Sequence, residues 1–520
     1  MCVALSCLSW TFWSLQADRP PSPKAPAASA KATASLDEAY GRSPAAFATS
    51  FGEPRRSSKE QSRARLDIAQ SGVGPPSAVA AAQALSSTTP TFNNDVAPIL
   101  YGNCVPCHRL GGVAPMSLLA FEQAVAYASA IREKVTARLM PPWYADPRFG
   151  EFKNARGLTQ AQVDALVAWI DGGTPQGGGV APAAPRFQEG WNVRMNRAPD
   201  DILELPFGEF ELPPRGEVTT FTVWMKLPLR GDRFVQAIEM RPSIRNAVHH
   251  SSLALGSLPK GTKIGRAAVF PGGPVLDGVP VYPDGQPFRA TSGEEFGTPV
   301  MFYVPGGGVL QFPNGLAKRF KQQDYLAWGL HLISPGRPAN VRVQIALWYA
   351  RLEPHHEVHT WTVNQKLLVE GKELVADAKG ARHVPNIPPH AANWSMTGTL
   401  KIDDNITIYL LWPHMHYRGK DMTFVLTLPN GKQETLLSVP RYNPHWQITY
   451  ELAKPLKVRR GSTITAYGHY DNSSANLHNP SPDAEVTFGP QGTDEMFTPF
   501  LEVSVDKENL DSQRLQQQLP

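Results

Sequence analysis

The chain has 520 residues, with Lys+Arg 50 against Asp+Glu 46 and a formal net charge of +4. That near-balance excludes a protein built around a basic nucleic-acid or membrane-binding face, and the length leaves room for roughly three domains. The four cysteines, Cys2, Cys7, Cys104 and Cys107, exclude a disulfide framework for the main body, while 49 prolines and 42 glycines favour short strands joined by turns.

The first sixteen residues, MCVALSCLSWTFWSLQ, are apolar like the core of an export signal but lack a basic start, and Ala17 makes only a loose cleavage site. Cys7 as a lipoprotein cysteine is disfavoured by Ala4 three residues before it. No other stretch has the roughly eighteen continuous apolar residues of a membrane helix, so no stable membrane span is expected. The Ala/Pro/Ser-rich residues that follow cannot bury enough apolar surface to fold. Residues 1–90 are therefore expected to be a weak export signal and a disordered tether.

TFNNDVAPILYGN is expected as a short helix leading into CVPCH, residues 104–108. The C-x-x-C-H pattern is the attachment signature of c-type haem. Cys104 and Cys107 would form the thioethers and His108 would be the proximal iron ligand. A redox or zinc fragment is the competing reading, but no second cysteine pair exists to complete a zinc site. The run 121–139 carries Phe121, Val125, Ala128, Ile131, Val135 and Leu139 at helical spacing. Pro141 and Pro142 then stop the helix and hold Met140 in an extended turn. This context resembles the distal-ligand loop of class I cytochromes c, which makes Met140 the expected sixth ligand and Met116 its competitor. LTQAQVDALVAWIDGG (158–173) reads as a closing helix with Thr159 as N-cap and Gly172 as stop. A small all-α haem domain is expected over 91–178. Haem attachment of this type occurs outside the cytoplasm, so the chain is expected to be exported, to the periplasm or beyond.

A Gly/Pro/Ala run (172–185) leads through a linker, 179–189, into strand-like sequence: TTFTVWMKLPL, FVQAIEM, VHHSSLAL, NVRVQIALWYA, NITIYLLW, MTFVLTL and STITAYGHY. PNGK (429–432) marks a hairpin turn. Two antiparallel β-sandwiches are expected, 190–352 and 353–510, followed by a polar tail, 511–520. His414 and His416 in LLWPHMHYRGKD lie two apart, so on a strand they share a face. His249 and His250 are adjacent, so a regular strand would point them apart. They make a site only if the strand is distorted and a third ligand arrives from elsewhere.

The ordered set His249–His250, His331, His414-x-His416 and Met496 resembles the copper type II, ascorbate-dependent monooxygenases, the family of peptidylglycine α-hydroxylating and dopamine β-monooxygenases. The resemblance covers about 190–510 and includes the Gly-Lys after HMHYR and the DEM around Met496. It implies jelly-roll-like sandwiches and two copper ions. One is held by His249, His250 and His331 and stores an electron. The other is held by His414, His416 and Met496 and reacts with O2, a soft thioether favouring Cu(I). The implied activity is hydroxylation of a C–H bond in a small organic substrate, with electrons from a small reductant or redox protein, here through the fused haem held close by its short linker. The alternatives are a non-catalytic haem/copper electron-transfer or copper-binding protein, and a redox sensor.

The sequence also departs from the family. The body lacks its disulfides. Trp412 stands where peptide-amidating members carry a substrate-binding arginine, and Phe500 where they carry a tyrosine. A glycine-extended peptide is therefore not the expected substrate, and the pocket should be more apolar. His355, His356 and His359 are expected as a solvated linker between the sandwiches. His469 and His445 are expected in structural hydrogen bonds, with either able to lie near the second copper.

Overall fold

In the computed structural model the described residues are 89–187, 190–191, 195–289, 297–378 and 382–511, together with the backbone of Leu15–Gln16, which pairs with Arg382–His383. The expected export signal and tether otherwise lie outside them, as does the tail beyond 511. No helix of the described residues is long and apolar enough to cross a membrane.

Helices gather in the first hundred described residues. Phe92–Val96 is π-helical and runs into Ala97–Asn103, where Pro98 occupies the first turn and no amide is missed. The helix expected over 121–139 is two, Phe121–Ala126 and Ala128–Thr136, broken at Tyr127. Ala124, Ile131 and Val135 are buried, while Val125 and Leu139, expected on the same apolar face, lie exposed. Gln160–Asp171 begins at Thr159, as expected. The Thr159 hydroxyl accepts from the Gln162 amide at 3.2 Å and Gln162 Oε1 accepts from the Thr159 amide at 2.9 Å. Such a reciprocal cap contributes about 1 kcal/mol. The helices close on Phe92, Leu100, Leu166 and Trp169, each contributing roughly 1.5–3 kcal/mol by burial.

Most of the remainder is antiparallel sheet. In the first β half, Leu316–Phe320, Arg233–Pro242, Ala339–Tyr349 and Asp201–Leu212 are neighbours in that order. A second sheet runs Phe221–Lys226, Tyr325–Leu332, Val248–Gly256, Thr298–Tyr303. Alternate residues of both sheets enter one core, including Val223, Ile238, Leu253, Trp328 and Ile345. In the second half, His359–Thr362, Thr498–Val505, Ile406–His414 and Tyr450–Val458 make one sheet. The other runs Lys366–Val369, Trp394–Lys401, Thr463–Tyr470, Gly419–Thr427, Gln433–Val439, and PNGK turns its last hairpin with Gly431 at φ 83°. The two share a core around Ile408, Leu411, Phe424 and Phe497.

Two contacts fix how these parts meet. Lys318 of the first half and Glu502 of the second form a buried ion pair at 2.6 Å, joined by the Thr360 hydroxyl. Residues 143–156, expected inside the helical unit, pack on the second β half instead. Lys153 N donates to Glu451 O at 2.8 Å and Ala453 N to Glu151 O at 2.7 Å, lining the edge beside Tyr450–Val458. Trp143 and Phe152 meet Tyr450 edge-on, and Ala145 joins the second core. The helix ends at Thr136, before the expected proline stop, with Arg138 at φ 55°, and the aromatic residues after the prolines find their apolar partner in the sheet. The helical unit is thus clamped to the β body rather than held by its linker alone.

The expected solvated linker is also structured. His356–Glu357 and His359–Thr362 are strands, His359 Nε2 lies 2.8 Å from Glu508 Oε2, and His355 pairs with Asp511. His469 makes the expected structural bond, 2.7 Å to Asp421.

Candidate metal centre

Val248–Gly256 pairs with Tyr325–Leu332, and the register passes from His331 opposite His250 to Leu332 opposite Val248. His249 is therefore an extra residue, a bulge, and a bulge re-aims a side chain. This is the distortion that adjacent histidines need to share a site, and the cross-strand partner His331 supplies the third imidazole. Among the described residues, His249, His250 and His331 form the group of histidine, cysteine or acidic side chains whose donor atoms all lie within 4.8 Å of one another.

Outer contacts select the nitrogens. His331 Nε2 is 3.1 Å from Glu217 Oε2, while its Nδ1 is buried without a partner. His249 and His250 approach through Nδ1, 3.2 Å apart, and His249 Nε2 is 2.8 Å from His445 Nδ1. A ligand histidine whose far N–H is engaged presents its other nitrogen in one tautomer. Burial, with the neighbouring imidazoles, lowers His249 to about 3 and His250 well below its ordinary value. Neutral imidazole is the form a metal binds, so the triad could hold a metal ion.

The second group sits where Ile406–His414 ends. His414 pairs with Thr498 of the neighbouring strand, the last pair of that ladder, and His416 and Met496 lie two residues beyond and two before that pair. Glu495, fully buried, holds this corner: its carboxylate accepts from the amides of His416 at 2.9 Å, Met496 at 3.3 Å, and Arg418. Burial raises it to about 7. His416 Nδ1 lies 3.1 Å from Asp494 O, and Tyr470 OH donates to Met496 O at 2.8 Å. Burial lowers His416 to about 4 and His414 well below its ordinary value. The donor set suits copper: imidazole serves both oxidation states and the thioether favours Cu(I).

His250, His414, His416 and Met496 line one cavity of about 470 Å³ between the β halves. Its wall is aromatic. Trp412 stacks on Phe500, its cross-strand partner, at 4.9 Å and 11°, and Phe302 of the first half lies over Trp412 at 3.5 Å. Trp412 Nε1 donates to Gln447 O at 3.0 Å, so only the ring meets the cavity.

CVPCH follows Ala97–Asn103 directly. Cys104 and Cys107 are free thiols, and burial raises Cys104 to about 12 and Cys107 less far. Burial lowers His108, whose Nδ1 makes no hydrogen bond. Gly112 is required here, because a Cβ would stand 2.2 Å from Cys107 O. Two unbridged thiols and an imidazole at this spacing suit covalent haem. Met140 is 43% exposed just past the second of the broken helices, and Met116 is half-buried in the loop after His108.

Glu495 and Glu217 escape a reading of the sequence, and only DEM hinted at Glu495. His445, expected in a structural hydrogen bond and able to lie near the second copper, bonds His249 of the triad instead.

Residues 379–503 match the model of the copper type II ascorbate-dependent monooxygenase C-terminal domain, which supports a copper monooxygenase-like oxidoreductase. No curated protein matches the chain. Among solved structures, the chain is similar to the tandem CBM22-1–CBM22-2 domain of Paenibacillus barcinonensis Xyn10C, at 10% identity over 60% of this chain and 98% of that one, with a TM-score of 0.16. It is likewise similar to an allantoicase, at 11% identity over 51% and 78%, with a TM-score of 0.15. Scores this low carry no argument about fold or function.

Proposed function

We propose that the chain is an exported copper monooxygenase that hydroxylates a C–H bond of a small apolar organic molecule with O2, taking electrons through haem c bound at Cys104 and Cys107. The observation that carries this reading is the convergence of His250, from the first half, with His414, His416 and Met496, from the second, on one aromatic-walled cavity. Copper held by the triad and by the His414/His416/Met496 group would supply one-electron chemistry and reaction with O2. Phe302, Trp412 and Phe500 exclude water and orient an apolar substrate face-on, and no arginine replaces Trp412 to receive a carboxylate. Glu495 keeps both donor segments in place. Hydroxylation turns C–H into C–OH, sends the second oxygen atom into water, and consumes two electrons and two protons.

Oxygen-electrode assays of haem- and copper-loaded protein with a reductant test the reading. O2 uptake that rises with an apolar substrate and yields the hydroxylated product by mass spectrometry is expected. Uptake indifferent to every substrate class would leave a non-catalytic carrier. Copper titration followed by EPR should reach two equivalents per chain, and one for His331→Ala. A single equivalent in the unaltered protein counts against the assignment.

The helical unit is read as cytochrome c-like, with His108 and Met140 as axial ligands. Met140→Ala should remove the weak sulfur-to-iron absorption band and lower the haem potential, while Met116→Ala leaves both unchanged. The reverse pattern would transfer the role to Met116.

A further inference from the structure

Cys107 Sγ and the Trp446 ring edge each lie 3.4 Å from the point where a Gly306 Cβ would stand. The sulfur and the indole thus flank the same bare glycine. Trp446 Nε1 is buried without a hydrogen-bond partner, and the Arg156 guanidinium lies 5.5 Å from the ring centre. One residue earlier, His445 Nδ1 is 2.8 Å from His249 Nε2, with the rings 5.0 Å apart. The turn carrying both residues is pinned from the helical side. His445 N donates to Asn443 Oδ1 at 2.9 Å, and Asn443 Nδ2 donates to Tyr144 OH at 2.9 Å. Tyr144 belongs to the segment clamped on the second half. Two consecutive residues of the second half therefore stand beside the CVPCH sulfur, across Gly306, on one side and in contact with a triad imidazole on the other.

We propose that His445 and Trp446 couple the CVPCH motif to the histidine triad, His445 as a positioning residue for His249 and the pair as the electron route between the two centres. This rests on the haem–copper reading above. His445 Nδ1 accepts the proton of His249 Nε2, which leaves His249 Nδ1 for the metal. With haem at Cys104 and Cys107 and copper at the triad, the dipeptide would carry one electron from ferrous haem, left ferric, to Cu(II), left as Cu(I). No bond breaks, and the proton stays on His249 Nε2. Ordinary packing would account for a tryptophan in this position. It does not account for a partly exposed histidine whose ring nitrogen is spent on a histidine of the other half.

The test uses full-length, haem-loaded protein, prereduced with dithionite under anaerobic conditions and mixed with Cu(II) sulfate in a stopped-flow instrument. Haem oxidation at a rate independent of protein concentration is expected, and it should be lost in His445→Ala and Trp446→Leu while ascorbate still reduces their copper. His445→Ala should also weaken copper at the triad by about 10- to 100-fold, as loss of an outer partner does, and change the nitrogen hyperfine pattern of its Cu(II) EPR spectrum. His445→Gln, whose amide oxygen accepts the same hydrogen bond, should restore that pattern. His445 is exposed, so its truncation decides the matter if Trp446→Leu fails to fold. Transfer at the unaltered rate in His445→Ala overturns the route and leaves the haem–copper reading standing. Ferrous haem persisting beside Cu(II) in the unaltered protein overturns that reading itself.

Discussion

Met496→Ala is expected to reduce substrate-dependent O2 uptake to background while most copper at that site stays bound. The two imidazoles that remain are both buried and neutral, and Glu495 still anchors the amides of His416 and residue 496. The loop also keeps its other tie, because Tyr470 OH bonds the backbone oxygen of residue 496 and not its side chain. What disappears is the soft thioether, the donor that favours Cu(I), the oxidation state that meets O2. Copper per chain and O2 uptake measured on the same preparation separate the two effects. Unaltered uptake, or copper loss as complete as in a His414→Ala/His416→Ala double variant, would remove Met496 from the proposed role.

Lys318→Met is expected to have the largest effect on stability, about 3–5 kcal/mol, because it leaves a buried carboxylate without its cation. Glu502 then keeps at most a share of the Thr360 hydroxyl, 3.1 Å away, whose one proton also faces Pro299 O at 2.6 Å. Burial already raises the Glu502 carboxyl above its ordinary value, and Lys318 opposes that rise. Without Lys318 the folded state holds the proton more tightly still. The deficit should therefore be small in acid and grow as pH rises through the raised folded value. Urea denaturation across pH measures this. Adding Glu502→Leu should recover most of the loss, since an apolar pair of similar volume is often tolerated in place of a buried ion pair. A single variant within about 0.5 kcal/mol of the unaltered protein would mean that the pair is not buried in solution.

The donor order HH, H, HxH, M was legible in the sequence because it is a property of the chain, and its HxH and M members fall within the matched span 379–503. The capping box at Thr159 and the hairpin at PNGK were legible for a related reason, since each depends on residues within a few positions. The division of the helix expected over 121–139 was not, because periodicity cannot register a break at Tyr127. The docking of 143–156 was equally hidden, as its partners lie some three hundred residues on, in Glu451 and Ala453.

By itself the sequence determined which donors are present and that strands would carry them, since donor type and two-residue periodicity are local. Tertiary structure alone decided that His249 and His250 face the same way, through a bulge that exists only in the pairing with His331's strand. It also decided that His445 completes the outer shell of a triad in the other half, and that Phe302 closes over Trp412 to wall the cavity. These are contacts between strands whose separation along the chain says nothing of their separation in space, so they arise only when both sheets pack and bury their shared faces.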